Sequence, residues 1–166
     1  MPAEHDADQV IDTAGAEELS PAQCLPRLQS ATWGRVATSI KTIAMVVPVP
    51  VVVLRDRILF ATDRGSSFDR AVQEQAISVQ VEGVEPGAGS ATMLWSIVVS
   101  GICVPELESE APVTQISAVG ESTGGQPRLN CVPFSLMQGW RAPLPPLTAP
   151  PPSGACATPE GASQAP

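Results

Sequence analysis

A single histidine, His5, occurs in 166 residues, and it sits in a stretch dominated by Asp and Glu. Its isolation removes Ser-His-Asp and Cys-His catalysis and any histidine-ligated metal. Cys24, Cys103, Cys131 and Cys156 are scattered with no Cys-X-X-Cys pair, so neither a zinc site nor a disulfide framework is indicated. Long hydrophobic runs are also missing. The longest, "IAMVVPVPVVVL", has 12 residues and two prolines, too short and too interrupted to cross a bilayer. The N-terminus has no apolar core of a secretory signal, which makes the cytoplasm the default compartment. A net charge of −8 argues against a nucleic-acid partner, because neutralising phosphates needs a basic face.

Apolar residues are too few at both ends. Residues 1–18 carry Glu4, Asp6, Asp8, Asp12, Glu17 and Glu18 with no Lys or Arg, and eight of the 25 residues from Ala142 to Pro166 are proline. Neither end buries enough apolar surface to offset the entropy of ordering it, so both are expected as disordered tails. The folded domain is placed at residues 19–141. Within it the cations are concentrated. Six of the nine, Arg35, Lys41, Arg55, Arg57, Arg64 and Arg70, fall in one span opposed only by Asp56, Asp63 and Asp69. Such a span is either a set of solvated strand ends or a local site for a small anion.

"LSPAQCLPRLQSA" opens a helix, with Ser20 as N-cap, Pro21 at the first turn and Gln23 completing a capping box. Pro26 is expected to keep it short, ending before "TWG". "RVATSI" then alternates as a strand, and "IAMVVPVPVVVL" reads as one long β-branched strand. Arg55-Asp56 makes a hairpin turn into "RILFAT". A helix "SSFDRAVQEQ", the strands "AISVQVEGV" and "TMLWSIVVSGICVPEL" and a final strand "RLNCVPFSLMQGW" follow, while "APVTQISAVG" reads as helix or loop. Some six strands and two short helices predict a mainly β, antiparallel barrel. Pro48 and Pro50 point the same way along their strand, and each lacks the N–H a neighbour would need. The sheet either simply ends there or splits to admit a flat ligand.

The turn "TDRGSSFD" has an anion-binding character of its own. Ser66 and Asp69 form a second capping box, leaving backbone N–H groups at a helix start beside the hydroxyls of Thr62, Ser66 and Ser67. The plainer alternative is that Ser66 caps its own helix and Thr62 is a strand residue.

In order along the chain, the capping-box helix, "GRVATS", "VVPV", "ILFATDRGSS" and "WSIVVSG" resemble the pyridoxamine 5′-phosphate oxidase-like flavoproteins. These are the flavin-binding split barrels, here of the short actinobacterial type. The resemblance covers about residues 19–108, with a last strand at 128–137. It implies a six-stranded split β-barrel that binds FMN, or the deazaflavin F420, and acts as an oxidoreductase with no catalytic side chain of its own. It places the cofactor phosphate on Arg35, Thr62, Ser66 and Ser67, supported by Arg64 and Arg70. The ring lies along the backbone of Val47, Pro48 and Val49, near Trp95 and Ser96. For F420, Lys41, Arg55 and Arg57 are candidate contacts to the longer anionic tail. It also implies a homodimer with the cofactor at the subunit interface. One position departs from the pattern. Ser67 stands where the turn usually carries Lys or Arg, a contact worth about 1.5–3 kcal/mol. That departure keeps open a second class: a split-barrel binding module that takes a cofactor without turnover, or none at all. Trp33 and Trp140 are expected in core or interface, and Cys103 in the core.

Overall fold

The long β-branched run is broken in the computed structural model, which describes residues 16–106 and 127–144. Strands β2 (Trp33–Ile40) and β3 (Ile43–Pro50) form a hairpin, and the chain then crosses at Val51 into β4 (Val52–Leu54), which belongs to another sheet. The expected single strand is therefore two. Val51, 3% exposed, is buried in the core and its N–H bonds the Thr32 carbonyl at 3.0 Å, which turns the chain away from β2. The step falls directly after Pro50, the last residue of β3.

Helix α1 (Pro21–Ser30) starts where the capping box places it. The Gln23 side-chain carbonyl accepts from the Ser20 N–H (2.9 Å) and hydroxyl (3.0 Å). The helix runs straight through Pro26 for ten residues. The bond lost there would have ended on the carbonyl of Ala22, an exposed residue whose oxygen water can satisfy. Cys24 and Leu28 are the face it buries. Arg27 anchors the other side with a two-pronged pair to Glu85, 2.9 and 2.7 Å.

After β5 (Arg57–Asp63) comes α2, Ser67–Val72, a shorter helix than the predicted "SSFDRAVQEQ" because Glu74 adopts a left-handed φ of 57°. Strands β6 (Ala76–Pro86) and β7 (Thr92–Ile102) pair along their whole length, and β8 (Val104–Pro105) follows. The predicted last strand is again two, β9 (Pro127–Pro133) and β10 (Leu136–Pro143), broken at Phe134-Ser135. With β1 (Glu17–Glu18), ten strands are present among the described residues. Glu17 lies inside the acidic head yet pairs with Arg141 of β10 in sheet and in charge. Residues 1–15, "APVTQISAVG", Cys156 and most of the proline-rich segment lie outside the described residues.

The topology is a split β-barrel of two antiparallel sheets. One runs β1-β10-β7-β6-β2-β3 and the other β4-β5-β9-β8. Their facing sides enclose one core of Leu28, Val36, Ile58, Phe60, Val79 and Ile97, each essentially fully buried. Strand β3 lies at an edge. It pairs with β2 through both prolines (Arg35↔Pro48, Trp33↔Pro50), and no described strand pairs its other side.

Candidate functional site

The turn after β5 is organised around Asp69, 2% exposed. The Ser66 hydroxyl caps α2 by accepting from the Asp69 N–H at 2.9 Å. Only that half of the capping box forms. The Asp69 carboxylate does not return to the Ser66 N–H, which instead bonds the Asp63 carbonyl. It accepts from the Gly65 N–H at 2.8 Å and from the Thr62 hydroxyl at 2.7 Å, and pairs with the Arg128 guanidinium at 3.5 Å. Gly65 reaches this geometry at φ 81°, which its lack of a Cβ permits. Behind the carboxylate, Asn130 donates to the Thr62 hydroxyl at 2.9 Å, and Gln73 donates to Asn130 at 2.7 Å. Phe68, next in the turn, packs into the core against Phe60 with ring centroids 6.2 Å apart.

The second cluster lies on the outward face of the six-stranded sheet. Alternation sends Val36, Val79, Val81, Ile97 and Val99 inward and leaves Arg35, Gln80, Glu82 and Ser96 on the other side. Register sets Arg35 beside both Pro48 and Gln80, and Glu82 beside Ser96. Gln80 donates its amide to the Ser96 hydroxyl at 2.9 Å, and Ser78 bonds Ser100 at 2.8 Å. Arg35 pairs with Glu82 at 2.5 Å, both side chains substantially exposed. Around this polar strip, Val46, Val84, Leu94, Ile102 and Leu136 face water. A groove of about 520 Å³ opens at its end, lined by small side chains including Ala37, Ser39, Ala44, Ser78 and Ser100.

The sequence-predicted residues therefore fall into three places. Arg35, Pro48 and Ser96 share the outward sheet face. Thr62, Arg64, Ser66, Ser67 and Arg70 share the turn, where Ser67 and Arg64 are exposed and Arg70 donates to the Gly65 carbonyl. Trp95 lies in the core, its ring laid over Gly83, and the side chains of Val47 and Val49 also turn inward. Trp33 is exposed, Trp140 half-buried beside Ser96, and Cys103 is in the core. Gln80 was not singled out from sequence. Its period-2 spacing from Ser78 and Glu82 was the available signal. Arg128 and Asn130 carried none, because only the folded sheet brings β9 alongside β5.

The family model described as pyridoxamine 5′-phosphate oxidase matches residues 20–120, which run from α1 past β8. The chain belongs to this family. No curated protein matches it. Among solved structures, the FAD-binding protein from Mycobacterium smegmatis is 21% identical, the match spanning 75% of this chain and 98% of that one with a TM-score of 0.56. An FAD-binding protein from Mesorhizobium loti is 20% identical over 76% of this chain and 98% of its own, TM-score 0.61. The FAD and heme binding protein from Mycobacterium smegmatis is 13% identical over 89% and 95%, TM-score 0.58. The family's fold is thus shared at low identity. Among the described residues no helix is long and apolar enough to cross a membrane, and no group of three potential metal ligands occurs.

Proposed function

We propose that this protein binds a flavin-type cofactor, FMN or F420, against the outward face of its six-stranded sheet beside β3, and that the bound cofactor makes it an oxidoreductase. The observation that carries this reading is a polar row on the outward face, Arg35 of β2, Gln80 of β6 and Ser96 of β7, running across the sheet from the strand next to the open β3 edge. Family membership and the FAD-binding proteins of the same fold support it.

The two halves of the site fit such a cofactor unequally. A flat ring suits an edge strand whose prolines keep a neighbouring strand from pairing, on a face where apolar side chains already meet water. The inner part of the turn does not suit a phosphate, because the Thr62 hydroxyl and the Gly65 N–H already serve Asp69. When bound, the cofactor supplies the hydride or electron chemistry. The chain's part is to hold and orient it. Arg35 offers charge to an anionic group, since its exposed pair with Glu82 is weak and readily exchanged. The Gln80 carbonyl offers an acceptor to a ring edge, its amide being held by the buried Ser96 hydroxyl.

A second copy of the chain is the occupant proposed for the rest of this face. Five apolar side chains exposed on one sheet face are unusual for a monomer and are what a homodimer would cover. The satisfied turn favours a second reading, a split-barrel binding module without redox turnover.

An absorption spectrum of the purified protein, followed by titration with FMN and with F420, tests the reading. A bound flavin spectrum or quenching of added FMN is expected, and tighter F420 binding changes only the cofactor. A colourless protein that binds neither below high micromolar overturns the oxidoreductase. Analytical ultracentrifugation tests the dimer, which Val84→Glu is expected to dissociate.

A further inference from the structure

We propose that the turn between β5 and α2 carries its anion within the chain. The Asp69 carboxylate fills the place a cofactor's phosphate would need, so any flavin bound here is held without a phosphate contact in that turn. The second clause rests on the function proposed above, and the first does not.

The donor set is that of an anion site: a backbone N–H, a hydroxyl and a guanidinium converge on one point. That point is occupied. Thr62 gives its only hydrogen to Asp69, and its oxygen already accepts from Asn130. The Gly65 N–H is spent on the other carboxylate oxygen, and Arg128 faces the same group. Arg70 is turned onto the Gly65 carbonyl. The carboxylate is 2% exposed, so a second anion brought to these donors would meet an unscreened like charge. Phe68 adds nothing to a ligand, being committed to the core. Ser67, where a cation would stand, is neutral.

The arrangement also explains the substitution of Ser67. With the anion internal and Arg128 already opposite it, a lysine at position 67 would have no phosphate to meet.

The test compares riboflavin with FMN, which differ by the phosphate, on the full chain and on Ser67→Ala and Ser67→Lys. Position 67 is exposed, so both variants are expected to fold. The ratio of the two affinities is expected to move by less than about threefold in either variant. A shift of about tenfold or more, the size of a charge-assisted contact, overturns the proposal. If neither flavin binds, the proposed function falls, and inorganic phosphate decides the turn by itself. Thermal unfolding is then followed in phosphate and in chloride of equal ionic strength. No phosphate-specific rise in Tm is expected for the wild type or Ser67→Lys. A saturable rise that Ser67→Lys strengthens overturns it. Asp69→Ala, where it folds, is expected to acquire the rise that the wild type lacks, and a folded Asp69→Ala without it overturns the exchange of one anion for another.

Discussion

The Thr62 hydroxyl donates to the buried Asp69 carboxylate at 2.7 Å, joining the end of β5 to the first turn of α2. Thr62→Val keeps the shape and removes the bond at both ends. It leaves a carboxylate oxygen short of a donor and the fully buried Asn130 amide short of an acceptor. Loss of a hydrogen bond to a charged group is worth about 1.5–3 kcal/mol, and urea unfolding of the variant is expected to show a fall in that range. A fall under about 0.5 kcal/mol would mean that the Asp69 cluster holds the turn without Thr62.

Gly83 has a packing requirement. A Cβ built there lies 2.5 Å from Cζ2 of Trp95, its cross-strand partner. Gly83→Ala therefore has to move the indole or spread β6 from β7. The expected cost is about 1–3 kcal/mol, accompanied by a change in the near-ultraviolet circular dichroism of tryptophan.

Glu85 gives a pH dependence. The hydrogen bonds from Arg27 hold its carboxyl below the ordinary value of 4.5, with Arg141 acting in the same direction and partial desolvation opposing them. A carboxyl depressed in the folded state stabilises it above the unfolded pKa, and that contribution is lost as pH falls through the folded one. The stability difference between wild type and Glu85→Gln is thus expected to be largest near neutral pH and to shrink below about pH 4. Denaturant unfolding at several pH values measures it. A constant difference would place the effect in packing rather than charge.

Burial pushes the Cys103 thiol up to about 12, with the neighbouring Cys131 and Asp69 adding to the shift. Almost none of it is thiolate at pH 8, and it is sealed in the core. Iodoacetamide is expected to leave Cys103 unmodified in the native protein and to label it in urea, as read by peptide mass spectrometry. Labelling of the native state at the rate of an exposed thiol would show that the core opens there.

Local structure was legible wherever a short-range pattern carried it. Ser20 with Gln23 placed the start of α1, and "AISVQVEGV", which read as a strand, lies within β6. The order of such segments identified the barrel. What could not be read depends on long-range partners. The β2–β3 hairpin turns on Lys41 and Thr42, both at positive φ, where sequence usually offers glycine or asparagine. The crossing at Val51 is set by Thr32 and by the core, not by valine itself. Asp69 looked like a helix-start residue because its nearest partner, Ser66, is three positions away. Its larger role needs Arg128, and Thr62 needs an asparagine 68 residues further on.

The prolines of β3 bear on how the protein behaves when concentrated. An uncovered strand edge is a template onto which further chains can add, one after another, into a growing ribbon. Pro48 and Pro50 each withhold the N–H that such an added strand would have to engage. An intruding chain would meet a ladder with rungs missing, so the barrel can keep one side open without inviting polymerisation.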